Sequence, residues 1–345
     1  MSLRRKLFPT ILAMMLTTAA HAVIINDDGG GPNPAIDAKG LDWAPGSTLL
    51  TPVGNASIFT HPKGDVFQVY AQASLASFLD SNGASTGANG WTYIAGYQQQ
   101  VVSTAGNSVV LNTIGGGDNF FRLYFDPTPN ASAGNGTGFG PDATNSDPVL
   151  VLSGAVNAST AQTAISAQQV LPGRLDNFGP DNYPGVESIT ATGSSPLGIT
   201  VGSFDPLYFP GGSASGLGLD FQTLFTVPFS QTDPSSCFTN GAGMLISGVG
   251  PNTLGGLECS INTVGSISGI NGANLILMSD SSSLFPQAVP EPMSLALLGA
   301  GLLALGVGRR RWFSQTGETG NRVRGVEGIP VMSSRLRKVI QSAVS

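Results

Sequence analysis

The chain has 345 residues, 41% of them apolar, and its 47 glycines and 23 prolines make up about a fifth of the whole, against roughly 12% in average usage. That surplus of turn formers falls short of the roughly 25–30% that marks a low-complexity chain, so a folded, turn-rich domain is expected. Charge excludes more: residues 23–291 hold only Lys39, Lys63, Arg122 and Arg174 against 19 carboxylates, a net −15, and a surface of that sign does not displace counterions from phosphates, which rules out nucleic acid as a main partner.

At the start of the chain, Arg4, Arg5 and Lys6 precede the apolar run Leu7 to Leu16, and Ala20-His21-Ala22 places small residues at the two positions a signal peptidase reads, Ala20 and Ala22. Residues 1–22 therefore read as a secretory signal peptide, the alternative being a buried first helix. The exported body, residues 23–278, reads as strands and turns. Its candidate strands are rich in Val, Ile, Thr and aromatics and lie at 65–75, 91–104, 108–114, 119–126, 148–156, 187–192, 198–204, 221–229, 243–248 and 273–278. Ten such segments without an amphipathic helix predict one all-β domain, a β-sandwich or jelly roll. Residues 127–147 form the longest expected loop, and residues 279–289 are expected to link the domain to the C-terminal segment.

Export implies an oxidising compartment, in which Cys237 and Cys259 read as a disulfide; two buried free thiols are the alternative. Catalytic chemistry is sparse. The only exported histidine is His61, in Thr60-His61-Pro62, where a surface turn is the plain reading, and no Gly-x-Ser-x-Gly elbow accompanies it. A glycosidase needs two carboxylates about 5–10 Å apart, but Glu187, Glu258 and Glu291 are the body's only glutamates. A His- or Cys-rich metal centre is excluded by count, and no cofactor is expected. Calcium is the one plausible ion: Asp176 to Asn182 and Asp142 to Asp147 gather oxygen ligands in loops, without the EF-hand spacing and with solvated acidic loops as the alternative. Trp43, Trp91, Tyr93 and Tyr97 could present aromatic faces to sugar rings, although core packing is the commoner fate of strand aromatics.

Beyond the body, Val289-Pro290-Glu291-Pro292 leads into the uncharged run Met293 to Val307, with Arg309, Arg310, Arg311, Trp312 and Phe313 coming after Gly308. Fifteen helical residues reach only about 22 Å. The arginine cluster and the interfacial Trp312 nonetheless mark a membrane segment with its arginines inside and the body outside. In this order the three parts resemble the PEP-CTERM sorting signal of Gram-negative bacteria. The resemblance implies that residues 290–313 are a transmembrane sorting signal, with Pro290, Glu291 and Pro292 recognised by an exosortase and Arg309, Arg310 and Arg311 acting as the cytoplasmic stop. It further implies that the helix is removed and the body delivered to the cell surface or extracellular matrix. An ordinary single-pass anchor with an incidental Pro-Glu-Pro is the alternative. Residues 314–345 depart from the family pattern, which ends soon after the arginines; they read as a basic cytoplasmic tail, either an amphipathic helix around Arg335 to Val344 or an extension without function.

A second similarity lies in the body. Trp91-Thr92-Tyr93-Ile94-Ala95-Gly96-Tyr97, Phe121-Arg122-Leu123-Tyr124-Phe125-Asp126-Pro127 and Gly136-Thr137-Gly138-Phe139 are similar to segments of flocculation-associated PEP-CTERM proteins, which act with exopolysaccharide in holding cells in flocs. The expectation is a surface or matrix protein, transiently anchored in the inner membrane, with exosortase, signal peptidase and exopolysaccharide as partners and no enzymatic activity. The alternative is a secreted polysaccharide-active hydrolase or a carbohydrate-binding protein.

Overall fold

The computed structural model describes residues 23–56, 62–80, 82, 84–141, 147–171, 176–179, 183–210, 218–227, 232–246, 264–265 and 272–285. All lie in the first of two compact units, residues 1–288; the second, residues 289–345, falls outside the described residues. The regular structure is all-β, as expected, with no helix among the described residues. Thirteen strands occur in chain order: β1 (Val23–Ile25), β2 (Ile36–Trp43), β3 (Gly46–Pro52), β4 (Val66–Asp80), β5 (Ser85–Gly87), β6 (Trp91–Ala105), β7 (Ser108–Ile114), β8 (Phe120–Phe125), β9 (Val149–Val156), β10 (Ser159–Leu171), β11 (Ser188–Phe204), β12 (Gly218–Val227) and β13 (Leu275–Leu284).

Several of these strands are pieces of one longer stave. β2 and β3 pair in succession with β4, and again in succession with β13. They part only at Ala44-Pro45, where proline brings no N–H to a ladder. β5 and β6 run on in the same way beside β4. β7 and β8 succeed one another along β6, parted by the glycine run at 115–117, and β9 and β10 succeed one another along β11. Eight staves result. Each pairs antiparallel with the next in the chain, and β13 returns to β2 and β3, so the hydrogen-bonded sheet closes on itself. The arrangement is an up-and-down barrel. A sandwich or jelly roll would need connections that cross between sheets, whereas here every stave pairs with the next in the chain, some across short turns. Gly106-Asn107, for example, closes a two-residue hairpin between Ala105 and Ser108, with Gly106 at the φ of +56° that such a turn requires.

Period-two alternation along the staves fills the barrel. On β6, Trp91, Tyr93, Ala95, Tyr97, Gln99 and Val101 face inward; directly opposite on β4 stand Ala73, Ala71 and Val69, and on β8 Phe125, Leu123 and Phe121. Tyr93 lies against Trp43 and stacks on Phe121. Small polar groups share this interior and satisfy one another: Gln99 donates to Thr163 at 2.7 Å, Thr163 and Ser195 lie 2.6 Å apart, Thr48 donates to Ser279 at 2.9 Å, and the Trp43 indole donates to Ser283 at 3.1 Å. The space left between Thr48, Ala71, Tyr93, Tyr97 and Phe121 is about 20 Å³, room for one water and no ligand. One end of the barrel is closed by the turn 205–210, where Tyr208 and Phe209 pack edge-on against Trp91. Outward positions such as Gln98, Gln100, Gln162, Thr200 and Ser203 are polar, unlike the apolar belt of a membrane-spanning barrel.

Burial raises the hydroxyl of Tyr93 to about 12 and that of Tyr97 further still. The neutral phenol is thus the folded form. Its contribution is complete below the unfolded value near 10 and is lost as pH rises from there toward 12, by about 3 kcal/mol for Tyr93. Urea titrations repeated between pH 9 and 12 should show the midpoint falling steeply above pH 10, with tyrosinate absorbance appearing only as the chain unfolds.

The strand limits correct several expectations. The segments 187–192 and 198–204 are one strand, β11, while β1, β2, β3, β5 and β10 lie where no strand was expected. Over its described part, 243–246, the expected strand 243–248 shows only a bridge between Thr239 and Leu245. β13 continues to Leu284, through the first half of the expected linker 279–289, because Ser279, Ser281 and Ser283 point into the barrel and are buried. The loop after β8 is without strand over its described part, 127–141.

Candidate functional site

Two features outside the barrel interior position side chains for function: a strap over one wall and a groove at one rim. The strap consists of residues 132–140 and 232–246, laid over the outer face of β3, β4, β6 and β8. Its seat is polar. Gln72 on β4 donates to Ser235 Oγ and to the Cys237 carbonyl, both at 2.9 Å, and Ser47 on β3 accepts from the Ser235 amide at 2.9 Å. Farther along, Asp118 accepts from the Gly241 amide at 2.8 Å while Arg122 donates to the Gly241 carbonyl, so the peptides on both sides of Gly241 are held. Ile94, Phe120, Tyr124 and Phe139 form a small apolar cluster under the strap. The charge of Asp118 adds to partial burial in raising the Tyr70 hydroxyl to about 12. This arrangement explains why outward-facing positions of β4 and β6, such as Gln68, Gln72 and Thr92, are buried.

The groove lies where β1, β2 and the β4–β5 turn meet. It encloses about 570 Å³, the size of a small-molecule or sugar site, and is lined by Asp27, Asn33, Ile36, Asp37, Asp80 and Asn82, with Pro34, Ala35 and Thr86. Strand register assembles it: Ile24 on β1 lies opposite Asp37, and Ala38 lies opposite Asp80. The Asp27 loop is tied down from below, since the Trp91 indole donates to the Asp27 carbonyl at 2.9 Å, and Asp28 caps the next turn through the amides of Gly31 and Asn33. Asp80 is occupied as a turn acceptor for the amides of Asn82 and Ala84. Asp27 has one oxygen, Oδ1, buried without a hydrogen-bond partner. The wall thus presents carboxylate and amide oxygens, acceptors suited to sugar hydroxyls or ammonium groups.

The sequence-predicted residues fare differently. Trp43, Trp91, Tyr93 and Tyr97 are all buried inside the barrel, so they form core and not a sugar platform. Cys237, within the strap, is buried and disulfide-bonded; Cys259 lies outside the described residues. So do His61, Ala20, Ala22, Pro290, Glu291, Pro292, Arg309, Arg310 and Arg311. Of the two acidic loops, Asp147 is exposed and accepts from Thr128, whereas Asp176 is buried, which is not the fate of a solvated loop. Among the described residues no three His, Cys, Asp or Glu side chains converge closely enough to hold a metal, and no helix is long and apolar enough to cross a membrane. The groove and the strap were not foreseen; the groove's residues meet only once β1, β2 and β4 pair in register, and the strap's two halves meet only on the folded wall. No family model, curated protein or solved structure matches the chain.

Proposed function

We propose that the chain is an exported protein, sorted to the cell surface or extracellular matrix through its C-terminal Pro-Glu-Pro signal, where it holds polysaccharide in flocs or biofilm by binding and not by catalysis. The observation that carries this reading is the ordered succession of Pro290-Glu291-Pro292, the uncharged run Met293 to Val307, and Arg309 to Arg311, behind a body preceded by Arg4 to Lys6, the apolar run Leu7 to Leu16 and Ala20-His21-Ala22. In this reading a signal peptidase cuts after Ala22, residues 290–313 span the inner membrane until an exosortase acts, and the tail 314–345 is discarded with them. The rim groove supports a binding role: its volume suits a few sugar rings, and its acceptor-rich wall suits their hydroxyls. The space of about 20 Å³ between Thr48, Tyr93, Tyr97 and Phe121 inside the barrel is too small for such a ligand.

The same groove favours one second reading, a polysaccharide hydrolase, because it brings Asp27, Asp37 and Asp80 onto one wall. One experiment separates the two. Deleting the gene is expected to reduce cell aggregation without slowing growth in suspension, and mass spectrometry of the surface-released protein is expected to find no peptide from Leu302 onward. Complementation by a chain truncated at Gln287 should fail. Mature protein that keeps Arg309 to Arg311 refutes the sorting reading, and turnover of matrix glycans by the purified protein establishes the hydrolase.

A further inference from the structure

At the edge of the strap, Thr232 and Asp233 are each only 4% exposed, yet neither the Thr232 hydroxyl nor Asp233 Oδ1 meets a hydrogen-bond partner. A buried carboxylate oxygen left this way is costly, because desolvation penalises the charge and no hydrogen bond to it among the described residues compensates. The backbone at this place is fixed: the Asp233 carbonyl accepts from Ser47, and the next amide but one, that of Ser235, donates back to the Ser47 hydroxyl. The described stretch 176–179 and Tyr183 lie against it. A Cβ at Gly179 would fall 2.6 Å from Asp233 Oδ2, and the Tyr183 hydroxyl donates to the Ser235 carbonyl at 2.9 Å. Asp176, 3% exposed, lies on that same segment, and its charge bears on the Tyr183 hydroxyl.

We propose that Asp233 and Thr232, with Asp176 on the facing stretch 176–179, are the protein ligands of a calcium site that pins the strap to that stretch. The donors are all oxygen, which selects a hard cation. Two carboxylates and a hydroxyl are fewer than calcium's six to eight ligands, so carbonyls and water complete the shell and the affinity is low, with a dissociation constant of about 10⁻⁴–10⁻³ M, as in extracellular modules. Magnesium, which demands a tight octahedron and gives up its water reluctantly, is a poor fit.

The test uses the full chain, purified in mild detergent and stripped with a chelator. Calcium at about ten times the dissociation constant should raise the unfolding temperature by roughly 3 °C, with magnesium giving no shift. Terbium, a luminescent stand-in for calcium, should emit on excitation of Tyr183. Asp233→Asn should abolish the calcium shift and the terbium emission; Thr232→Val, which keeps the volume, should weaken both and serves if Asp233→Asn fails to fold. Tyr183→Phe should keep the calcium shift and lose most of the emission. The proposal is overturned if calcium shifts nothing in the native chain, if the shift survives both ligand substitutions, or if emission is unchanged in Tyr183→Phe, which would place the ion elsewhere. Asp233 as a simply protonated buried acid predicts the first of these results.

Discussion

Replacing Trp91 by alanine is expected to lower the unfolding free energy by about 3–5 kcal/mol, the range for removing a fully buried aromatic side chain. Trp91 is 1% exposed and meets Phe78, Phe125, Tyr208 and Phe209 within 6.3 Å between ring centres, so four rings lose their common neighbour at once. The cavity would open at the barrel end beside the 205–210 turn, and the Asp27 carbonyl would lose its indole donor. Since a domain's whole stability is about 5–15 kcal/mol, such a loss leaves the chain near its unfolding threshold. Denaturant titration of Trp91→Ala beside Trp91→Phe checks this; the phenylalanine should restore much of the loss, because it refills the ring cluster while still lacking the N–H. A loss below about 1 kcal/mol for the alanine variant, well under the usual range, would show that the rim rings do not close the barrel.

The strap offers the second large effect. Gly136 sits at a φ of +77°, and a Cβ there would fall on the carbonyl oxygen of Cys237, in the other half of the strap. Gly54 has a similar φ of +66°, but a Cβ there meets nothing within 4 Å. Both alanine variants carry the left-handed backbone penalty of about 1–2 kcal/mol. Only Gly136→Ala must also push 132–140 away from 232–246, breaking the bond from the Cys237 amide to the Asn135 carbonyl and unseating Gln72. Gly54→Ala should therefore cost about 1 kcal/mol and Gly136→Ala at least twice that, with rapid proteolysis within 132–140 and 232–246 in the second variant alone. Equal costs and equal cutting patterns would mean that the strap is not seated as described.

How much of this was legible beforehand depends on the element. β7 reads from its residues: Ser-Val-Val-Leu-Asn-Thr-Ile is β-branched and alternating, bounded by Gly106-Asn107 and Gly115. β10, rich in Ala, Gln and Ser, does not; it is a strand because β7 and β11 flank it and because Thr163 and Ile165 fall on the inner face. β11 misleads through Gly193-Ser194-Ser195-Pro196, a turn by composition. Pro196 instead falls in the interval between Ser194 and Ile199, where one edge of β11 passes from β10 to β9, so a missing N–H costs no bond on that edge. The alternation Trp91-x-Tyr93-x-Ala95-x-Tyr97 shows a strand face, but whether that face lines a core or offers a platform is decided by curvature, which only closure of the sheet supplies. For the same reason Asp27, Asp37 and Asp80 look unrelated until β1, β2 and β4 are in register.

Barrel closure also bears on the binding role proposed above. Among the described residues, every strand except β1 and β5 has a hydrogen-bonded neighbour on each side, and those two are three residues long. The described strands thus leave almost no bare backbone on which a second copy could lengthen the sheet, the route by which amyloids polymerise. In the proposed role, contact then falls to side chains reaching a shared third party, and a polymer long enough to meet many copies would supply it.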